Sequence, residues 1–423
     1  MLIAQLADAH IGHRQYGLEE RAKDYEKAFI EAINKIVQLR HEKDLKYVII
    51  CGDLFDTSRP TPNDYVTVIN GLRKLREENV NVIIIRGNHE ASITSPSNNP
   101  LQVISSMNLA TYLENNYLDI GRVRVIGIGC VYSDLQSRIE RYLEKCVNPN
   151  AINIVMMHQY LEETPYTYAL PNMDYYMVSL SIFKRFYDKI SYIALGHLHE
   201  HELKHPKLPA VYSGSLEIWD SREFETYVLN DNSLRKIKDM SIKGFLVLDV
   251  DETSGKVYYE AVKLRHNRRM IRIFINYSEL TPLRLRRDIQ FIVDNFDKEH
   301  AYLSIEVNGK LASGYSSRDL NITSLRKLFR KVLKVDIKLN LTREIKGFSK
   351  ISMRMLGVND IIKNVLTQLL QDFQNRDKVI TLILSMLDHV DSDDLDQAFK
   401  ILEEELKVPI KGMTSIISFF SEK

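Results

Sequence analysis

Residues 2–10 read LIAQLADAH: an apolar run broken by one glutamine, then a carboxylate and an imidazole two positions apart. The same grammar returns in YVIICGD at 47–53, VIIIRGNH at 82–89, INIVMMH at 152–158 and ISYIALGHLH at 190–199. Each run is short, nearly all apolar and rich in β-branched residues, as strands covered on both faces are. Between them, 22–39 and 64–75 carry apolar residues at helical spacing, and Pro62 suits a first helical turn. This alternation from residue 2 to about 219 predicts an α/β domain.

Each of the five strands runs into potential metal ligands: Asp8 and His10, Asp53, Asn88 followed by His89, His158, and His197 with His199. Ligands of open α/β sheets collect beyond the carboxyl ends of strands, so donors scattered along the chain can converge. Asp8 and His10, like His197 and His199, are two apart and leave an extended backbone on the same side. Gly52, Gly87 and Gly196 let the chain turn sharply beside them. Taken singly, Asp8 could cap a helix, Asn88 could serve a turn and His158 could be a satisfied core histidine. Five strand ends offering donors together, with five of the chain's twelve histidines among them, argue for one site. Carboxylate, imidazole and amide donors without thiolate suit manganese, iron or zinc better than calcium or copper(I). Manganese is the expected ion.

The 423 residues exceed one small core, so two or three domains are expected. A net charge of +1 provides no global basic field, and a nucleic-acid partner would need a local patch. One candidate lies between Lys263 and Arg287, where Arg265, Arg268, Arg269, Arg272, Arg284, Arg286 and Arg287 are opposed only by Glu279. Cys51, Cys130 and Cys146 sit in apolar stretches without metal-site spacing, which fits a reduced interior. Met1 leads directly into the first strand with no basic leader, and no apolar run reaches membrane-spanning length. A cytoplasmic chain without an anchor is expected.

From about 240 to 342 the texture changes to FLVLDVDE, KVYYEAVKL, MIRIFINY, AYLSIEV and VDIKLNL, with helical stretches at 283–296 and 322–335. This reads as a separate α+β domain. A basic linker at 346–354 precedes an apolar stripe at helical spacing, Val358, Ile361, Ile362, Val365, Leu366, Leu369, Leu370 and Phe373, with further helical stretches at 379–387 and 395–406.

The series DAH, GD, GNH, H and GHLH resembles the calcineurin-like metallophosphoesterase superfamily. Within it, DAHIGHRQYGLEERAKDYEKAF, GDLFDTSRPTP, RGNHEAS and VYSGSLEIWDSREFE resemble the DNA double-strand-break repair nucleases of the Mre-eleven and SbcD type. These motifs span about residues 1–227. The resemblance implies a four-layer α/β/β/α metallophosphoesterase nuclease domain over 1–239, a smaller α+β capping and DNA-binding domain over 240–343, and a linker with a helical ATPase-binding segment over 344–423. It implies two Mn2+ per chain, one held by Asp8, His10, Asp53 and His199, the other by Asp53, Asn88, His158 and His197, with Asp53 bridging. His89 is implied to be catalytic without ligating.

The implied DNA contacts are His13, Arg14 and Tyr16 after the first motif, and Arg265, Arg268, Arg269 and Arg272 in the cap. The implied activity is 3′–5′ exonuclease and single-strand endonuclease cleavage, intracellular and chromosome-associated. Implied partners are DNA, an SMC-like coiled-coil ATPase of the Rad-fifty type docked on the tail, and a second copy of the chain. The homodimer would form through 64–75 and 101–113, with Tyr65, Val66, Ile69, Leu101, Ile104 and Leu109. One position departs from the pattern: Asp56 stands where many members carry a second histidine after GDLF. A small-molecule phosphodiesterase or phosphatase on the same fold would have little use for the arginine cluster. Complete donors together with His89 argue against a non-catalytic DNA-tethering scaffold.

Overall fold

Neighbouring residues of the first strands serve different cores. In Leu2–Leu6, Tyr47–Cys51 and Asn81–Ile85, residues Ala4, Leu6, Val48, Ile50, Val82 and Ile84 face one cluster with the helices Glu19–Lys43, Pro62–Glu77 and Pro100–Ser106. Ile3, Ile49, Cys51, Ile83 and Ile85 face the other way, into a cluster shared with Val125, Ile154, Met156, Tyr192 and Ala194. The second sheet repeats the alternation, since Val155, Met157, Ile193 and Leu195 point outward onto the helix Leu135–Cys146 and the turn Leu180–Phe186. Period-two strands with both faces buried therefore stack as helix, sheet, sheet and helix.

The first sheet orders its strands Val257–Lys263, Gly244–Val250, Leu2–Leu6, Tyr47–Cys51, Asn81–Ile85 and Thr111–Tyr112. The second orders Ala210–Tyr212, Ile190–Gly196, Ile152–His158, Val123–Ile128 and Asn116–Ile120. Gln5 clasps the two: its Nε2 donates to Val211 O at 2.9 Å, and its Oε1 accepts from the Tyr192 hydroxyl at 2.8 Å. Pro62 begins its helix as expected, behind a Thr61–Asp64 capping box.

This computed structural model describes residues 1–91, 99–130, 135–161, 177–200, 209–230, 233–265 and 267–342. These all fall in one compact unit, Met1–Arg343. The linker, apolar stripe and later helical stretches expected beyond residue 343 lie outside the described residues. Among the described residues, no helix is long and apolar enough to cross a membrane, and the three cysteines are buried and form no disulfide.

A third sheet orders Ser233–Lys238, Glu225–Asn230, Met270–Leu280, Tyr302–Leu311 and Lys334–Thr342. One face packs on the helices Pro282–Asn295 and Ile322–Arg326 through Leu285, Ile289, Ile292 and Leu325. Two expectations differ from this arrangement. The sheets do not part at residues 239 and 240: strands 225–230 and 233–238 precede that point yet join the third sheet, while Gly244–Val250 returns to pair antiparallel with Leu2–Leu6 (Leu2↔Asp249). The second expected helix, 322–335, ends at Arg326, and Lys334 starts a strand. Leu325 and Phe329 are buried in the sheet's core with Leu328 and Val332 packed against it, so the helical spacing reflects packing by a turn.

The surface offered for a homodimer is narrower than the sequence suggests. Leu101, Ile104 and Leu109 are buried in their own core and Tyr65 and Ile69 pack against it, whereas Val66, Val103 and Met107 are exposed.

Candidate metal centre

Where the five strands end, the backbone tightens. Asp8, His10, Asp53 and His197 all have positive φ, between 45° and 93°, a left-handed conformation that non-glycine residues adopt at a cost and that concentrates at functional sites. Asp8 N donates to Gly52 O at 3.1 Å and His10 N to Asp53 O at 3.0 Å, which ties the first two strand ends together. Glycine is required at 87, where a Cβ would come within 2.1 Å of Asp53 Oδ1, and at 196, where it would come within 2.1 Å of Cys51 O.

These turns bring the expected donors together. Asp8, His10 and His199 each place one donor atom within 4.8 Å of the others, as do Asp53, His158 and His197. Asp53 lies between the groups: its Oδ2 is 3.9 Å from His10 Nε2 and 3.2 Å from His158 Nε2. Asn88 Oδ1 is 2.9 Å from His158 Nε2.

The protons test whether cations fit. His158 Nδ1 lies 2.8 Å from Cys51 O, an acceptor only, so Nδ1 carries a hydrogen. Its Nε2 then faces two more oxygens, on Asn88 and Asp53, and only a second proton or a cation satisfies all three. His10 Nε2 and His199 Nε2 are likewise 3.2 Å apart, two nitrogens that need a proton or an ion between them. Divalent ions would replace these protons, since metal binding displaces protons from its ligands.

Burial pushes Asp8 up to about 7, with the charge of Asp53 adding to the effect. For Asp53 burial opposes the charge, but the neighbouring His158 outweighs it and holds the carboxyl far below its usual range. Burial disfavours the charged His158 too, yet Asp53 carries it up to about 9. His197 is pushed down to about 3 and His199 well below its ordinary value, both by burial first, which keeps them in the neutral form that ligates.

His89 stands at the same centre. Its Nδ1 donates to the Asp56 carbonyl at 2.9 Å, so Nε2 is the atom left to face substrate or metal. It also falls within 4.8 Å of donors on His10 and Asp53. Four supporting residues were not assigned a role from the sequence. Glu90 is fully buried and accepts from the main-chain N–H groups of Gly87, Asp53 and Phe55 at 2.9, 3.2 and 3.0 Å, which fixes the two loops around Asp53. Lys243, 2% exposed, donates to His199 O at 2.8 Å and pairs with Glu223 at 3.0 Å. Glu223 in turn accepts from Trp219 N at 2.7 Å. Trp219 lies against His10 and His13 with ring centroids 4.1 and 4.2 Å away. Adjacency to His89 could have flagged Glu90; nothing local marks Lys243.

A family model described as calcineurin-like phosphoesterase matches residues 1–201. Over residues 1–201 the chain is thus similar to the calcineurin-like phosphoesterases. The chain is similar to the DNA double-strand break repair protein Mre11 of Methanococcus maripaludis, 25% identical over 374 residues, covering 79% of this chain and 96% of that protein. The Mre11 of Sulfolobus acidocaldarius is 24% identical over 408 residues, 95% and 98% of the two chains. That of Methanocaldococcus jannaschii is 28% identical over 282 residues, 62% and 72%.

Around this site the expected DNA contacts divide. His13 belongs to the centre, beneath Trp219. Arg14 pairs with Glu19 at 2.7 Å, and Tyr16 stacks on Tyr302 with centroids 4.1 Å apart. Arg268 grips Asp24 with two contacts of 2.6 and 2.9 Å, Arg269 grips Glu225 at 2.7 and 3.1 Å, and Arg272 grips Glu306 at 2.8 and 3.0 Å. Arg265, Arg284, Arg286 and Arg287 are exposed.

Proposed function

We propose that the chain is a manganese-dependent DNA nuclease, a 3′–5′ exonuclease and single-strand endonuclease acting in double-strand-break repair. The observation that carries this reading is the facing of buried acceptors and imidazole nitrogens at the five strand ends, which leaves protons where cations would sit. The relatives' shared name supports the choice of DNA as substrate. Asp8, His10, Asp53 and His199 would hold one Mn2+, and Asp53, Asn88, His158 and His197 the second. When bound, the ions activate water as a nucleophile and neutralise the phosphate. His89, held through Nδ1 by the Asp56 carbonyl, presents Nε2 to stabilise charge on the phosphate or to protonate the departing deoxyribose oxygen.

The division into nuclease domain, cap and ATPase-binding tail belongs to the same proposal. So do docking of an SMC-like ATPase on the tail and a homodimer contact through Val66, Val103 and Met107. A small-molecule phosphodiesterase is favoured by one observation: the ion pairs of Arg268, Arg269 and Arg272 are already closed. Incubating the purified chain and Mn2+ with end-labelled duplex and single-stranded DNA, beside bis(p-nitrophenyl) phosphate, separates the two. Processive shortening of labelled strands from the 3′ end is expected. Turnover of the small diester with intact DNA would sink the nuclease reading.

A further inference from the structure

We propose that Asp56 is a positioning residue whose carboxylate selects the Nδ1–H tautomer of His10 and His13 while its main-chain carbonyl selects that of His89, aiming Nε2 of His10 and His89 at the metal centre. The proposal rests on the two-metal reading above. Asp56 Oδ1 lies 3.0 Å from His13 Nδ1, 3.4 Å from His10 Nδ1 and 3.6 Å from His89 Nδ1, and the Asp56 carbonyl takes the His89 Nδ1 hydrogen bond at 2.9 Å. An imidazole lone pair turned toward a carboxylate oxygen at such distances is repelled, whereas an N–H is attracted. With the acid's side chain only 22% exposed, water screens this preference incompletely.

The rings cannot turn away freely. His10 and His13 are packed against Trp219, and Trp219 is held at its N–H by Glu223 and at its carbonyl by Gln15. The acid is anchored in its turn, because Asp56 N donates to Ile11 O at 3.1 Å beside the Ile11–Phe55 bridge. Once Nδ1 carries hydrogen, the lone pair of His10 falls on Nε2, which lies 3.9 Å from both Asp8 Oδ1 and Asp53 Oδ2 and 3.2 Å from His199 Nε2. A carboxylate suits this task because it is an acceptor only and can receive several N–H groups. A neutral histidine at position 56 has one acceptor nitrogen and could orient one ring. Carboxylate partners behind metal-binding imidazoles fix both tautomer and orientation.

The test uses the full-length chain with 15N-labelled histidine. In the metal-free protein, long-range 1H–15N correlation spectra should assign Nδ1–H tautomers to His10, His13 and His89. Asp56→Ala should mix the tautomers of His10 and His13 and leave that of His89, whose Nδ1–H bonds the retained main-chain carbonyl. Asp56→Asn, which keeps the size of the side chain, should retain the tautomer at only one of His10 and His13 at most, and supports the same conclusion if the alanine variant folds poorly. By titration with Mn2+, Asp56→Ala should weaken one of the two ions by roughly 10–100-fold, as loss of an outer partner does elsewhere, and leave the other unchanged. The kcat for DNA should fall with KM unchanged, and Asp56→Glu should restore part of both properties. Wild-type tautomers together with wild-type Mn2+ affinity in Asp56→Ala and Asp56→Asn would overturn the proposal. A wild-type chain that binds no pair of ions would fell the two-metal reading instead, and the tautomer comparison would still judge Asp56 by itself.

Discussion

The strand ends of the two facing sheets and the strands of the third sheet are built from the same material, yet their charges are arranged in opposite ways. In the third sheet Glu225 is closed by Arg269, Glu306 by Arg272, and Asp288 and Asp336 accept from the hydroxyls of Tyr277 and Tyr302. Each of these four acids has a donor in hand. At the metal centre Asp8 and Asp53 share one buried space, and imidazole nitrogens face each other or face oxygens. A closed network rigidifies, whereas an open one of this sign accepts cations, because buried charge without a partner is expensive. Scaffold and site differ in the residues just beyond each strand's end, more than in the strand itself.

The largest effect should come from removing the acid common to both donor groups. Asp53→Ala should lose both ions by metal analysis and reduce cleavage to background. His89→Ala should keep two ions while cleavage falls roughly 10²–10⁴-fold, the usual contribution of a positioned acid–base group. The pair breaks the proposed division of labour if His89→Ala also loses metal, since its ring lies within reach of the same donors.

A smaller effect exposes the open electrostatics in stability. Burial raises Asp8 from its ordinary value to about 7, so the metal-free fold favours the protonated acid. That contribution is present below pH about 4 and is lost as pH rises through about 7. Without metal, the thermal midpoint should therefore fall across this window. Asp8→Asn should flatten the fall, and Mn2+ should reverse it in the wild type only. An Asp8→Asn profile parallel to the wild type's would assign the pH dependence to other groups.

The candidate site was legible because residues of metal-donor type sit at sheet ends, and a sheet buried on both faces writes an apolar run that stops at them. Asp8, His10, Asp53, Asn88, His158, His197 and His199 all lie where those runs end. The partners that hold them were not legible, because Lys243 meets His199 across 44 residues and Leu2 pairs with Asp249 across most of the described chain. The ion-pair partners of the arginine cluster were hidden for the same reason. Its neutralising acids, Asp24, Glu225 and Glu306, lie outside the window in which the charge run was counted.

The smallest and most discriminating effect tests that last point. Arg268 has an 18%-exposed side chain gripping Asp24, itself buried and shared with Arg21, so Arg268→Ala should lower stability by roughly 1–3 kcal/mol by leaving a buried acceptor short of a donor. It should barely change DNA affinity. Arg286 is exposed on the helix Pro282–Asn295. Arg286→Ala should shift stability by less than about 0.5 kcal/mol, as surface changes do. If Arg286 meets a phosphate, its loss should weaken binding to all sequences alike and lower the slope of log affinity against log salt by about 1. Thermal melts and DNA titrations at several salt concentrations, made on the same two variants, read both quantities. A reduced salt slope in Arg268→Ala, with unchanged stability, would show that this arginine leaves Asp24 for DNA, and the ion pairs of the third sheet would then count as a reserve of phosphate contacts rather than as closed structure.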